Sequence, residues 1–256
     1  MRAEEPDQQS GSPIARFWRA VPERVFRLLG VAFFGALLLI RLPDYFNDFW
    51  SLGPWYQFPD GSRLRLPWTR VLVDLTYVLI VVSYVVRIPP RERSVNPLHI
   101  AVAMLGGFWP LLPMLAVGVA DRMSPSVGAT LDQLLWRESL TLVQVLGCTG
   151  LMIAGNLLDV WGYATLLQSF SIVPEARELK ITGPYHVVRH PVYLGQVIAQ
   201  AGIWLVIARL TLFAIVFFGA FCAIQLYRAK LEDRVLAEAF GEQHRAWRSR
   251  TFWFGE

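Results

Sequence analysis

Residues 183–195 read GPYHVVRHPVYLG and lead into two apolar runs, at about 192–208 and 210–227, separated by little more than Arg209 and Leu210. Runs of this length suit spanning helices, and so short a connection requires a tight helical hairpin. A hairpin returns the chain to the face it left. The turn before it and residues 228–233 after it therefore meet at one membrane boundary, although some forty residues separate them. The expected fold is an all-α polytopic membrane protein whose chemistry sits at this polar, aromatic, cation-bearing turn.

Composition supports that reading. Of 256 residues, 54% are hydrophobic and only 17% charged, with a mean hydropathy of +0.40, whereas a soluble domain carries about 25% charge. The net charge of +4 and pI near 9.3 do not point to nucleic acid, because Lys and Arg flank the apolar runs instead of forming a stripe. Cys148 and Cys222 both lie inside apolar runs, which argues against disulfide or zinc chemistry. The first 24 residues are polar and lack a cleavable apolar region, so the first apolar run is expected to remain as an anchor.

Six runs are visible, at about 25–42, 71–86, 98–120, 139–158, 192–208 and 210–227. Arg27, Arg41, Arg70 and Arg87 at the edges of the first two can snorkel and extend their reach. Pro110 and Pro113 are expected to kink or break the third. Trp50, Trp55, Tyr56 and Trp68 give the first loop the composition of an interfacial aromatic belt, lying along the membrane surface. The chain divides into an N-terminal segment (1–24), a four-helix membrane region (25–158) and a region with the turn, the hairpin and the tail (159–256). Seventeen of the 24 Lys and Arg residues fall on the side of the two termini and seven on the other. The positive-inside rule therefore predicts cytoplasmic termini and a cytoplasmic GPYHVVRHP turn, in the inner (plasma) membrane of the cell.

Arg228 and Glu232 stand four apart and share a helix face. In isolation they read as a surface ion pair worth about 0.3 to 0.5 kcal/mol; opposite the RHP turn they read as part of a site. His186 and His190 are also four apart, but Pro191 interrupts a regular helix, and four histidines in the whole chain are too few for a histidine-rich metal centre. No metal is expected. His99 and His244 are expected at polar boundaries without catalytic duty. Asp74 is either a functional intramembrane charge or, near the membrane edge beside Arg70, a local ion partner; the latter is preferred. Pro191 fixes the turn and starts the next helix, and Gly195 permits close approach of a ligand or helix. Gly147, Gly150 and Gly155 can pack helices within or between chains, so oligomeric state stays open. No GxGxxG following a strand and no alternating strand and helix pattern occur, so no Rossmann unit is expected.

The run TGPYHVVRHPVYLG, then a helical hairpin, then YRAKLEDRVLAEAFGEQHRAW resembles the C-terminal half of isoprenylcysteine carboxyl methyltransferases and their bacterial relatives, a group that extends to phospholipid N-methyltransferases. The resemblance covers about residues 165–250, and the first four spans carry no assignable motif. It implies an enzyme that binds S-adenosyl-L-methionine from the cytoplasm and transfers its methyl group to a lipophilic or lipid acceptor entering from the bilayer, plausibly at a carboxylate to form a methyl ester. Carried over by position, it implies that Arg177, Glu178, Leu179 and Lys180 line the cofactor entrance and that Tyr185 flanks it. His190, Pro191, Val192 and Tyr193 form its wall, and Glu232 binds the cofactor's amino-acid end or ribose. Arg228 falls beside the acceptor's carboxylate, and Arg228 and Arg189 are the candidate catalytic residues. The chain departs from the usual Glu-Glu pair with Glu232-Asp233, and has His244 where Tyr is more common after the FG.

Such residue types suit such a ligand. A sulfonium, an ammonium and a carboxylate together demand both signs of charge at a membrane boundary, because unpaired buried charge is costly; Glu232 and Arg189 or Arg177 supply those signs. Tyr185 and Tyr193 offer faces for adenine or for the sulfonium, worth roughly 0.5 to 2 kcal/mol by cation-π attraction. Two other readings compete: an NADPH-dependent membrane reductase with a distantly similar C-terminal half, and a non-catalytic scaffold or transporter component.

Overall fold

The computed structural model describes residues 20–52, 55–94, 96–209 and 211–253. Residues 1–19 of the expected N-terminal segment, with Arg2, Arg16 and Arg19 of the charge count, lie outside the described residues, as does Leu210 of the hairpin. The described chain is all-α with two minimal strand pairs. Its helices are α1 (Glu23–Asn47), α2 (Trp68–Val86), α3 (Pro97–Phe108), α4 (Leu112–Met123), α5 (Pro125–Leu135), α6 (Leu142–Leu166), α7 (Pro191–Ala201) and α8 (Leu212–Arg248).

Among the described residues, five helical stretches are long and apolar enough to cross a membrane: α1, α2, α3 with α4, α6 with its following turn, and α8. The sixth expected span is the shorter apolar stretch Pro191–Ile207, in which α7 relaxes into a π-helical turn over Gly202–Ile207. Apolar side chains on α1 and α8, among them Leu28, Ile40, Leu212 and Val216, are more than half exposed, as lipid-facing side chains are.

Local sequence explains the boundaries. Asn96 caps α3 by accepting from the Leu98 amide, with Pro97 at the first helical position, where its missing N–H costs nothing. The third span breaks as its prolines require: a 3-10 turn at Trp109–Leu111 separates α3 from α4. Thr141 and Gln144 form a reciprocal capping box at the start of α6. Thr211 caps α8 through the Ala214 amide. Two features differ from expectation. The stretch after the third span holds the short helix α5 against α4, and the aromatic loop contains a hairpin of β1 (Trp55–Gln57) and β2 (Arg63–Arg65), turned at Gly61 with φ 83°.

The central helix is α6, packed on α2 on one side and on α7 on the other. Its crossing with α7 is glycine-made. A Cβ on Gly155 would lie 2.5 Å from the Ala199 nitrogen, and one on Gly195 would lie 2.6 Å from the Gly155 carbonyl oxygen and run into the Asp159 carboxylate. Backbones therefore meet where side chains would hold them apart. Phe34, Ile80, Tyr84, Tyr163, Phe170 and Val192 fill the core between α1, α2, α6 and α7.

Two ion networks fasten opposite ends of the antiparallel pair α1 and α2. Asp74 accepts from Arg41 at 2.5 Å and from the Tyr45 hydroxyl at 2.7 Å, with Arg70 3.6 Å away and itself bound to Asp44 at 2.6 Å. At the other end Glu23 meets Arg87 at 2.7 Å, Arg93 at 2.6 Å and Arg177 at 3.1 Å. Glu175, on the strand β4 (Glu175–Ala176) paired with β3 (Glu92–Arg93), holds Arg93 at 2.6 Å and Arg177 at 2.5 Å.

Candidate active site

The RHP turn is stitched in place by the C-terminal tail. A 3-10 turn over Gly183–His186 starts at Gly183 with φ 59°, a left-handed conformation that favours glycine. The indole of Trp247 donates to the Tyr185 carbonyl at 2.8 Å. Further along, the Arg189 amide donates to the Phe252 carbonyl at 3.0 Å and the Phe252 amide to the Val187 carbonyl at 2.9 Å. The helix α8 continues 37 residues, with one non-helical residue at Gly241. At about 1.5 Å per residue it far exceeds the roughly 30 Å hydrocarbon core, so its second half carries Glu232 and Asp233 to the turn.

His190 is the meeting point. It is 4% exposed, with Nε2 3.1 Å from Asp233 Oδ1 and Nδ1 3.4 Å from Glu232 Oε2. Its ring stacks on Tyr193 at 5.6 Å and meets Trp253 edge-on at 4.9 Å. Burial pulls the imidazole toward its neutral form, but the hydrogen bonds and charges of Asp233 and Glu232 outweigh it and raise its pKa above the ordinary value. Burial and the nearby Glu232 carboxylate push the Tyr185 hydroxyl well up, so that it stays neutral.

Two adjoining hollows open around this turn. The larger, of about 340 Å³, reaches from Tyr185, His190, Tyr193 and Glu232 past Arg228 to the apolar residues Phe33, Phe108, Leu111 and Met114. The smaller, of about 30 Å³, is bounded by Arg177, Glu178, Leu179, Lys180, Arg189 and Trp247, and shares Tyr185, His190 and Glu232 with the first. Thus the four residues expected at a cofactor entrance line one hollow, Val192, Tyr193 and Arg228 line the other, and Glu232 faces both. Pro191 lines neither; buried at the start of α7, it packs with Val192 against Gly162 of α6.

The two candidate catalytic arginines are separated. Arg228 is 6% exposed, donates to Gln225 at 2.9 Å, lies 4.8 Å over the Tyr193 ring, and rests its stem on Gly106 of α3. Arg189 lines only the smaller hollow and stands 3.6 Å from Asp233. Arg177 is engaged by Glu23, Glu175 and the Ile88 carbonyl, and Lys180 pairs with Glu178 at 2.6 Å.

Several residues at the site escape sequence reading. Asp233 holds the turn through His190, Arg189 and His244, the last at 3.5 Å; His244 is consequently buried, at 1% exposure. A polar chain crosses the larger hollow's floor: Arg228 donates to Gln225, Gln225 to Gln196, and Gln196 to the Tyr163 hydroxyl at 3.3 Å. Asp159 lies beside it. As a charge at the end of an apolar run it carried the signal that singled out Asp74.

No curated protein matches this chain. Residues 143–243, the stretch that builds α6, α7 and the site-bearing part of α8, match the family model described as phospholipid methyltransferase.

Proposed function

We propose that this protein is a membrane methyltransferase that uses S-adenosyl-L-methionine and acts on a lipophilic acceptor whose anionic group is held by Arg228, in the manner of an isoprenylcysteine carboxyl methyltransferase forming a methyl ester. The observation that carries the reading is the shared wall: Glu232, Tyr185 and His190 border a polar hollow on one side and, on the other, a hollow that runs into apolar residues. One ligand must be polar and the other amphiphilic.

The residues suit the cofactor. Glu232, with its side chain 29% exposed, is an anion available to an ammonium or a ribose, while the backbone and cations of 177–180 offer the opposite sign to a carboxylate. S-adenosyl-L-methionine supplies an activated methyl group when bound. The protein's own residues do the rest. Tyr185 presents a buried aromatic face and Tyr193 a half-buried one, Arg228 orients the acceptor from the membrane side, and the packed turn excludes water, so that alignment instead of a strong base is the main requirement. The positive-inside distribution favours opening of the polar hollow to the cytoplasm, with entry of the acceptor from the plasma membrane.

Incubation of the purified chain with methyl-labelled donor and membrane lipid extracts tests the reading. Label is expected in a lipid-soluble product released by mild base, as a methyl ester is. Folded protein that labels nothing across broad extracts would contradict methyl transfer, and base-stable label would contradict the ester.

A further inference from the structure

Of the carboxylates that line the larger hollow, Glu232 is assigned to the cofactor and Glu175 is tied to Arg93 and Arg177, whereas Asp159 has neither role. It is 6% exposed, its Oδ1 is buried without a hydrogen-bond partner, and no ion pair reaches it among the described residues. Tyr163, Gln196, Gln225 and the Nη1 of Arg228 form a continuous chain of donors and acceptors that bypasses the acid. Arg228 forms no ion pair with it: its Nη1 donates to Gln225 and its guanidinium lies over Tyr193, while its Nε is buried without a hydrogen-bond partner.

The position of Asp159 is fixed nonetheless. Its carboxylate lies against Gly195, where any Cβ would collide with it, and Asn156, one helical turn away, borders the same hollow. A buried carboxylate without partners costs several kcal/mol relative to a neutral residue of similar size, so packing gives no reason for an acid here. Intramembrane acids of this kind face a ligand or a pathway.

We infer that Asp159 is an acceptor-binding residue that receives a hydrogen from the acceptor's polar end. The methyl acceptor is then an amphiphile whose headgroup carries a hydrogen-bond donor, a protonated amine or a hydroxyl, in addition to the anion held by Arg228. This rests on the reading of the larger hollow as the acceptor chamber.

Four single-chain probes with the same tail separate the chemistries: dodecylamine, dodecanol, dodecyltrimethylammonium, which has charge but no N–H, and dodecanoate. Thermal midpoints of the full chain in detergent are measured with each, for the parent and for Asp159→Asn. Dodecylamine or dodecanol is expected to raise the parent's midpoint above that with the quaternary ammonium, and whichever acts identifies the donor as amine or hydroxyl. In Asp159→Asn that response should need at least about tenfold more probe, while dodecanoate acts on both proteins alike. Without any probe, Asp159→Asn should melt no lower than the parent, because no native partner is lost. Equal responses of the two proteins, no response of the parent to either donor, or a lower unliganded midpoint of the variant would each overturn the inference. S-adenosylhomocysteine provides a separate arm. Its failure to stabilise the parent would refute the cofactor reading and leave the amphiphile result standing on its own.

Discussion

Asp233 Oδ1 lies 3.1 Å from His190 Nε2, while Glu232, the preceding residue, places Oε2 3.4 Å from Nδ1 of the same ring. Two successive carboxylates thus reach opposite nitrogens, an arrangement that favours the doubly protonated imidazolium, since only then are both nitrogens donors. The two acids nevertheless differ. Asp233 also meets Arg189 and His244 and closes the turn, whereas Glu232 borders both hollows.

That difference separates their variants. Asp233→Ala should lower unfolding stability by about 2 to 4 kcal/mol, because it strands buried cationic groups. Glu232→Ala should cost less than about 1 kcal/mol and lose cofactor affinity instead. Chemical or thermal unfolding in detergent measures both, and equal losses would contradict the division.

Stability should fall as the solution is made more alkaline. His190 has a folded pKa above its unfolded value of about 6.5. Between those two values the native state binds the extra proton, so its contribution is complete below about pH 6.5 and is lost as pH rises through the raised folded value. In His190→Gln the unfolding midpoint should vary less with pH over this window. A parent midpoint that rises there would contradict the assignment.

The α6 and α7 crossing should tolerate no side chain at its glycines. Gly195→Ala is expected to cost about 1 to 3 kcal/mol by overpacking, since its new Cβ meets backbone. Gly147→Ala, on the same helix as Gly155 but with open space around it, should be near neutral. Melting temperatures of the two variants provide the comparison.

Arg228→Ala should raise the acceptor KM by at least about tenfold while leaving affinity for S-adenosylhomocysteine nearly unchanged, because Arg228 borders only the larger hollow. Some loss of stability will accompany it, as its stem fills space against Gly106. Loss of cofactor binding would contradict the placement.

Much of this was legible in the sequence because membrane helices declare themselves by length and apolarity. The hairpin brought residues 183–193 to 228–233 as its geometry required, and Pro110 and Pro113 broke the third span because proline cannot complete the helical bonds. Other features had no comparable signal. The helix α5 is too short to span and carries Gly128 and Thr130 between its apolar residues, so it resembled a loop. Partners were also hidden: Arg177 reads as a cation, but nothing local shows that it meets Glu23, 154 positions away. Asp159 fell one residue beyond the apolar run, and only the structure shows that its buried Oδ1 has no hydrogen-bond partner.

The most direct test is the thermal midpoint of the detergent-purified chain with S-adenosylhomocysteine and, separately, with NADPH. A ligand at one hundred times its Kd, binding only the folded state, adds about 2.7 kcal/mol. A rise with S-adenosylhomocysteine alone, abolished in Glu232→Ala, is the expected result. A rise with NADPH alone, or with neither ligand, would contradict a methyl-donor site at Glu232.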